Sequence, residues 1–250
     1  MSRWKAATIH LVISLTLAVG AGATLYFLWF QPPWFRVAGA STLMLLLMGV
    51  DVCIGPLLTL LVADPRKSRK LLRLDLAIIA TMQAVAFGYG IHVMAAARPA
   101  FIVAETDRFV LVAADEISDA DLAQANQPAF RTRSWVGPTL VGAVPPMGDA
   151  ALALTLQAIS GGKDIDRLPK YYVPYDQMIG KFIPHAKTSD HLTKATPAQR
   201  RQLQQLQATI GEGPLLALPL QKRQRGGQDF TVILSPRTKK PVLVLALNAW

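Results

Sequence analysis

Asp51 is the residue whose type and position most clearly indicate a chemical role, because it interrupts a long apolar stretch. A carboxylate near the middle of a bilayer costs about 2.5 to 3.5 kcal/mol on insertion scales and usually faces protein or water. Three interpretations are open. Asp51 could tie neighbouring helices together by hydrogen bonds, it could dock a polar group of a partner's transmembrane helix, or it could conduct protons or ions. For conduction, the only other titratable groups available are His10 and His92.

Two further polar residues, Ser14 and Gln83, lie in the other apolar stretches at similar depth. Measured from the cytoplasmic ends of their spans, Ser14, Asp51 and Gln83 are about 12, 16 and 14 Å deep at the helical rise of about 1.5 Å per residue. We therefore predict one polar cluster with one residue from each helix. As a hypothesis, these three residues form a partner-binding site.

Catalytic and metal-binding signatures are absent from the sequence. It has no phosphate-binding glycine loop, nucleophile elbow, HExxH or paired metal cysteines, so we expect neither an enzyme nor a bound cofactor. The nearest approach to a metal set is His185, Asp190 and His191. The spacing of its histidines does not put both on one face of a helix, so we expect no metal site. Cys53 is the only cysteine, which excludes an intrachain disulfide.

The elements that must position these residues are membrane spans. Hydrophobic residues make up 52% of the chain, mean hydropathy is +0.31, and the apolar excess lies before residue 95. Three runs, 6–30, 37–62 and 74–94, are long enough to cross about 30 Å of hydrocarbon. The first two cannot form one continuous helix, because Pro32 and Pro33 lack the backbone N–H that a helix interior needs.

Basic residues indicate the orientation of the spans. They precede the first span and crowd the loop between the second and third, which puts both on the cytoplasmic side and the C-terminal part outside. In a bacterium that compartment is the periplasm. The segment 21–23 has the small residues of a signal-peptide cleavage site, but the apolar run continues to Phe30, which favours an uncleaved anchor.

From residue 96 the pattern changes to that of a soluble α+β domain extending to residue 250, after a transmembrane domain at 1–95. Strands are predicted at 101–105, 108–113, 229–234 and 241–247, the last two as a hairpin. Ser118 with Asp121 resembles a capping box, Asp149 is expected to cap a helix over 150–159, and Thr196 to Gly211 has both caps of a third helix. Residues 168–194 fit no period and form either a structured loop or a partner-binding segment.

The net charge of +10 does not indicate a nucleic-acid partner. Half of it belongs to loops that flank the apolar spans, where basic residues set topology. In the second half the charge is spread out, with modest clusters at Lys222-Arg223-Arg225 and Arg237-Lys239-Lys240. Such clusters are more often solvated faces than binding sites.

An ordered set of short motifs resembles the type IV pilin accessory proteins of the TfpX/TfpZ kind, which are bacterial inner-membrane proteins. The motifs are the opening Met1-Ser-Arg-Trp-Lys-Ala with His10, Gly49-Val-Asp51, Gly55-Pro56-Leu-Leu-Thr59, Asp75-Leu76, Gln83, Gly88-Tyr89-Gly90, Arg98-Pro99, Asp107-Arg108-Phe109 and Leu168-Pro-Lys-Tyr-Tyr-Val-Pro-Tyr175. The likeness covers most of the chain and is strongest up to about residue 110.

The resemblance implies a non-enzymatic protein that helps a particular major pilin assemble into type IV pili. Our mechanistic hypothesis is that the three helices hold the membrane helix of the pilin, with Asp51 and Gln83 offering hydrogen bonds, while the outer domain contacts its head. The alternative is a membrane sensor or transport subunit whose periplasmic domain binds a ligand. The short cytoplasmic parts of the chain offer such a sensor no output domain.

Overall fold

The structure, a computed structural model, describes residues 2–64, 66–211, 213–222 and 229–248. The chain divides into two compact units, Met1–Arg98 and Pro99–Trp250. Arg223 and Arg225 of the first basic cluster lie outside the described residues.

Helices make up the first unit. They are α1 (Arg3–Leu28), the short α2 (Trp34–Val37), α3 (Ala40–Gly49), α4 (Gly55–Val62) and α5 (Arg69–Ala97). Ser2 and Ser68 cap α1 and α5, because each hydroxyl accepts a hydrogen bond from a backbone N–H in the first turn. Three stretches are long and apolar enough to cross a membrane: Arg3–Leu28, Ala40–Val62 and Arg69–Ala97. The three long apolar helices predicted from the sequence are therefore confirmed.

A π-helical turn at Val50–Ile54 joins α3 to α4. In π geometry the carbonyl of residue 51 would pair with the nitrogen of residue 56, but Pro56 carries no N–H. The wider turn thus accommodates the proline and leaves the Asp51 carbonyl without a partner in its own helix.

Small residues line the face that α1 turns toward the other helices. Its buried residues are Ala6, Ser14, Ala18, Gly22 and Leu25. A Cβ on Gly22 would lie 2.0 Å from the terminal methyl of Met48, so the two helices approach closely there. In a bilayer such close approach supplies the dispersion contacts that hold helices together. The large apolar side chains on the outer faces, such as Val19 and Val85, are exposed.

A mixed β-sheet dominates the second unit. Its strands are β1 (Pro99–Ala104), β2 (Phe109–Ala113), β3 (Thr139–Ala143), β4 (Tyr172–Pro174), β5 (Lys187–Thr188), β6 (Leu216–Lys222), β7 (Phe230–Leu234) and β8 (Pro241–Leu245). Their order is β4-β3-β1-β2-β6-β7-β8, with β5 also paired to β6. β1 runs antiparallel to β2 and parallel to β3. The expected hairpin of the last two strands is confirmed by antiparallel pairing of β7 with β8.

Four helices accompany the sheet within the described residues: α6 (Asp119–Ala123), α7 (Asp149–Ile159), α8 (Ile179–Phe182) and α9 (Pro197–Ile210). The capping box at Ser118 is confirmed, as are the Thr196 cap and the left-handed Gly211 that ends α9. The expected cap at Asp149 is wrong. Asp149 is the first residue of α7, and the cap position is Gly148, whose positive φ of 65° lets the chain turn into the helix.

Two apolar cores are formed by residues that the structure describes in the second unit. One packs β1, β2 and β3 against α6 and includes Phe101 and Tyr172 with their rings in edge contact. The other packs α9 on the β6-β7-β8 side of the sheet. Leu203 is buried in this second core, and Leu206 and Ile210 pack against it, so the three residues share one face of α9. Residues 168–194 contain short 3-10 turns, the strands β4 and β5, and α8.

Candidate functional site

A hydrogen-bonded pair, Asp51 and Gln83, joins the π turn to α5. The Gln83 amide nitrogen Nε2 donates to the Asp51 carboxylate Oδ1 at 3.0 Å and to the Asp51 backbone carbonyl at 3.1 Å. The second bond fills the acceptor that Pro56 leaves without a partner. The two bonds together hold the π turn against α5, and both acceptors require Nε2 rather than Oε1 to point at Asp51.

Gly55 makes this approach possible. A Cβ at residue 55 would lie 1.9 Å from the Gln83 Nε2, far inside contact distance. A glycine therefore stands where the side chain of α5 must reach the backbone of the π turn. At Gly49 and Gly88, by contrast, a Cβ would meet no atom within 4 Å.

The Asp51–Gln83 pair lies in an apolar cleft of about 300 Å³ between the second and third long helices. Leu46, Ile54 and Leu58 line one wall, and Met82 and Phe87 line the other. The pair supplies the polar groups of this lining. Gln83 Oε1 is buried and has no hydrogen-bond partner, so an acceptor is left unsatisfied in an apolar environment. Such an atom carries a cost that a donor from another molecule would remove.

Of the three residues predicted to cluster, two are brought together. Asp51 is 8% exposed and bonds to Gln83 as described. Ser14 is buried on α1, but the hydrogen bonds of the described residues do not join it to either partner. Helix α1 instead contributes His10, whose Nδ1 lies 2.5 Å from the Thr59 hydroxyl of α4.

An ion pair closes the loop between the second and third long helices. Lys67 Nζ lies 2.8 Å from the Asp75 carboxylate and also donates to the carbonyl of Val62 at 3.1 Å. The ammonium group of Lys67 therefore pairs with the Asp75 carboxylate near the start of the third apolar run. The opposite end of α5 has the guanidinium of Arg98 over the Trp29 ring, 5.8 Å from its centroid.

A second polar cluster lies in the sheet unit, where Glu105 follows β1. Arg108 Nε donates to the Glu105 carboxylate at 2.7 Å. Burial raises the pKa of Glu105 to about 7, Arg108 lowers it, and the nearby Asp166 raises it further. Burial also raises the pKa of Asp166, which is 5% exposed and has an Oδ1 without a hydrogen-bond partner. The sequence offers no periodic signal for this cluster, because its members come together only in the folded sheet.

Within the ranges that the structure describes, no group of three or more His, Cys, Asp or Glu side chains is placed to hold a metal ion. His185 ends one 3-10 turn, and Asp190 and His191 belong to another.

Comparison with known proteins identifies relatives over most of the chain. The chain is 31% identical over 183 residues to a fimbrial assembly protein of serogroup I from Dichelobacter nodosus, covering 73% of this chain and 71% of the relative. A serogroup E1 protein of the same bacterium is 30% identical over 183 residues, again covering 73% of this chain and 71% of the relative. A third relative, from serogroups C1 and C2, is 35% identical over 48% of this chain and 92% of its own length.

A family model described as fimbrial assembly protein FimB matches residues 1–39. No solved structure is significantly similar. Since the identity exceeds 30% across more than two thirds of a relative, the resemblance to pilus assembly accessory proteins is confirmed, and the chain belongs to the fimbrial assembly protein (FimB) family.

Proposed function

We propose that the chain is a non-enzymatic accessory protein of the bacterial inner membrane that binds a type IV major pilin and assists its assembly into pili. Its relatives support the assembly role, since they are named fimbrial assembly proteins. The observation that carries pilin binding is the unsatisfied Gln83 Oε1 in an apolar cleft between two membrane-length helices.

The proposed orientation follows from charge. The N-terminus and the loop that contains Lys67 face the cytoplasm, and the sheet unit faces the periplasm. Before assembly, a pilin is an apolar helix in the inner membrane that carries a periplasmic head. An accessory protein with both a helical unit and a periplasmic unit offers a surface to each part.

The cleft suits a transmembrane helix as its occupant. Its walls are aliphatic and aromatic, so they supply dispersion contacts to an apolar helix, which is the main source of helix association in lipid. The Gln83 Oε1 then accepts one hydrogen bond from a donor on that helix, worth about 0.6 to 2 kcal/mol in a membrane. This contact selects a helix that presents a donor at the matching depth.

A photo-crosslinking experiment tests pilin binding in the cell. A photoreactive amino acid at Leu46 or Met82, which line the cleft, should crosslink to the major pilin. The matched control is Val19, an equally exposed apolar residue on α1 that does not line the cleft. Equal pilin crosslinking from all three positions, or from none, contradicts the cleft as a pilin site.

Deletion of the gene tests the assembly role separately. Pili sheared from the cell surface should be lost while the major pilin remains detectable in whole cells. Normal surface pili would contradict the proposal. A complementing chain with Gln83→Leu should restore fewer pili than the wild-type chain if the cleft contacts the pilin.

A further inference from the structure

Only Arg98 separates the end of α5 at Ala97 from the start of β1 at Pro99. One residue spans at most about 3.6 Å, so the Pro99 end of β1 is held next to the end of α5. If α5 spans the bilayer, as proposed above, this end of the strand starts close to the lipid headgroups.

Strand register identifies which other segments lie at the Pro99 end of the sheet. β3 is parallel to β1 and pairs Thr139 with Phe101, so the segment that leads into β3 enters at the Pro99 end. β2 is antiparallel and ends there, with Ala113 opposite Pro99. Arg133 supports the same placement, because its guanidinium donates to the carbonyls of Ala114 and Ile117, just beyond the end of β2.

The segment ahead of β3 presents a tryptophan and a valine to solvent. Trp135 is 65% exposed and Val136 is 60% exposed. The Ser134 hydroxyl bonds to both the N–H and the carbonyl of Val136, and Gly137 turns the chain with a φ of 63°. Residues 134–137 thus form a compact turn, the tip of this segment.

We infer that Trp135 and Val136 form an interfacial anchor that inserts into the headgroup region of the same bilayer. Tryptophan is enriched at that depth because its ring is apolar while its N–H can still bond to water or headgroups. The surrounding charges have mixed sign, with exposed Arg131 near the tip and Asp119, 91% exposed, paired to Arg133. Insertion should therefore not require anionic lipid.

An exposed apolar residue elsewhere in the unit serves as a comparison. Met147 is 92% exposed, but it follows β3, whose last residue Ala143 lies toward the opposite end of the sheet. Asp107, in the turn between β1 and β2, also lies at that opposite end. We therefore expect lipid contact only for exposed apolar residues that lie at the Pro99 end of the sheet.

The test uses the full chain with Cys53→Ala, reconstituted in phosphatidylcholine nanodiscs. A polarity-sensitive fluorophore is attached to Val136→Cys, which leaves Trp135 in place, and in separate samples to Asp107→Cys and Met147→Cys. The label at 136 should emit at shorter wavelength and lose roughly half its emission or more with headgroup-proximal doxyl lipids. Labels at 107 and 147 should behave as in water. Trp135→Ser should reduce the quenching at 136.

The outcomes separate this inference from the membrane proposal. A label at Val85→Cys, on the exposed face of α5, reports with lipids that carry the doxyl group deep in the acyl chain whether that helix is in the bilayer. Quenching at 85 without quenching at 136 overturns the anchor alone. No quenching at 85 overturns the spanning helix as well. A blue-shifted label at 136 that doxyl lipids do not quench means that protein covers the tip, which also overturns the anchor.

Discussion

The amide of Gln83 makes two hydrogen bonds to Asp51, one to the carboxylate and one to the backbone carbonyl that Pro56 leaves free. One side chain of α5 therefore bonds to both the carboxyl group of Asp51 and the backbone of the π turn. These hydrogen bonds place a polar pair in the apolar cleft. The contribution of each residue to the stability of the helical unit can be tested by substitution.

Gln83→Leu should destabilise the helical unit by about 1 to 2 kcal/mol, because both acceptors of Asp51 lose their donor. The measurement is the unfolding free energy in mixed detergent micelles, followed by circular dichroism. Thr81→Val is the control, since it removes a hydroxyl from an exposed position on the same helix. Equal losses for the two variants would contradict a specific role for the pair.

Gly55→Ala should be destabilising whereas Gly49→Ala should not. Alanine is favoured over glycine in a helix by about 1 kcal/mol, and nothing obstructs a Cβ at residue 49. At residue 55 the Cβ meets the Gln83 amide, which must leave Asp51. Detergent unfolding of both variants checks the difference. If Gln83→Ala, which removes the clashing side-chain atoms, is already present, the penalty at residue 55 should largely disappear.

Pro56→Ala should weaken the dependence of the helical unit on Gln83. The new N–H at residue 56 can bond within its own helix, so the Asp51 carbonyl no longer needs Gln83. A double-mutant cycle of Pro56→Ala with Gln83→Leu should give a coupling energy of about 0.5 to 1 kcal/mol. Strictly additive effects would show that the proline does not create the acceptor that Gln83 fills.

The sheet unit should become less stable as pH rises through the range in which Glu105 titrates. Its pKa is about 7 in the folded chain against an ordinary value of 4.5, so between these pH values the folded chain binds more protons than the unfolded chain. Stability is then highest below pH 4.5, as far as this group is concerned, and falls toward pH 7. The expected loss between pH 5 and pH 7.5 is at most about 2.5 kcal/mol.

Hydrogen exchange of the β1 and β2 amides in the full chain, corrected for the intrinsic rate, measures this loss. Glu105→Gln should flatten the pH dependence. Asp107→Asn, at an exposed position in the same turn, should leave it unchanged. A wild-type chain with equal protection at both pH values contradicts the raised pKa.

Cysteine labelling should reveal the proposed orientation. In a Cys53→Ala chain in intact spheroplasts, a membrane-impermeant maleimide should label Asp107→Cys, and Lys70→Cys only after lysis. Both positions are exposed, so burial does not explain a difference between them. The reverse pattern would invert the topology and place the sheet unit in the cytoplasm.

Local signals explain what the sequence could predict. Ser118, Thr196 and Gly211 act through their neighbours in the chain, and their caps are as expected. The contact of Asp51 with Gln83 could be predicted because the two residues lie at similar depth in neighbouring spans. In a membrane, counting residues from the end of each span is enough to estimate that depth. Residue types and spacing were sufficient for these features.

Features that depend on distant contacts could not be predicted in the same way. Gly55 is required by a side chain of another helix, which nothing in its own segment indicates. β6 is hard to recognise because Pro219 interrupts it, and proline is usually excluded from inner strands. The structure accommodates Pro219 between the residues that pair with β5 and those that pair with β2.

The π turn also sets the phase between the two halves of the second long helix. A π turn holds about one residue more than an α turn, and each residue rotates a helix by about 100°. Deleting one residue within 50–54 should therefore restore regular α geometry and keep Leu46 and Leu58 in nearly the same phase, whereas closing the turn to α geometry with every residue kept would rotate them apart by roughly a quarter turn. The π turn thus absorbs an extra residue within the segment without changing which residues of the two halves share the cleft-facing side of the helix.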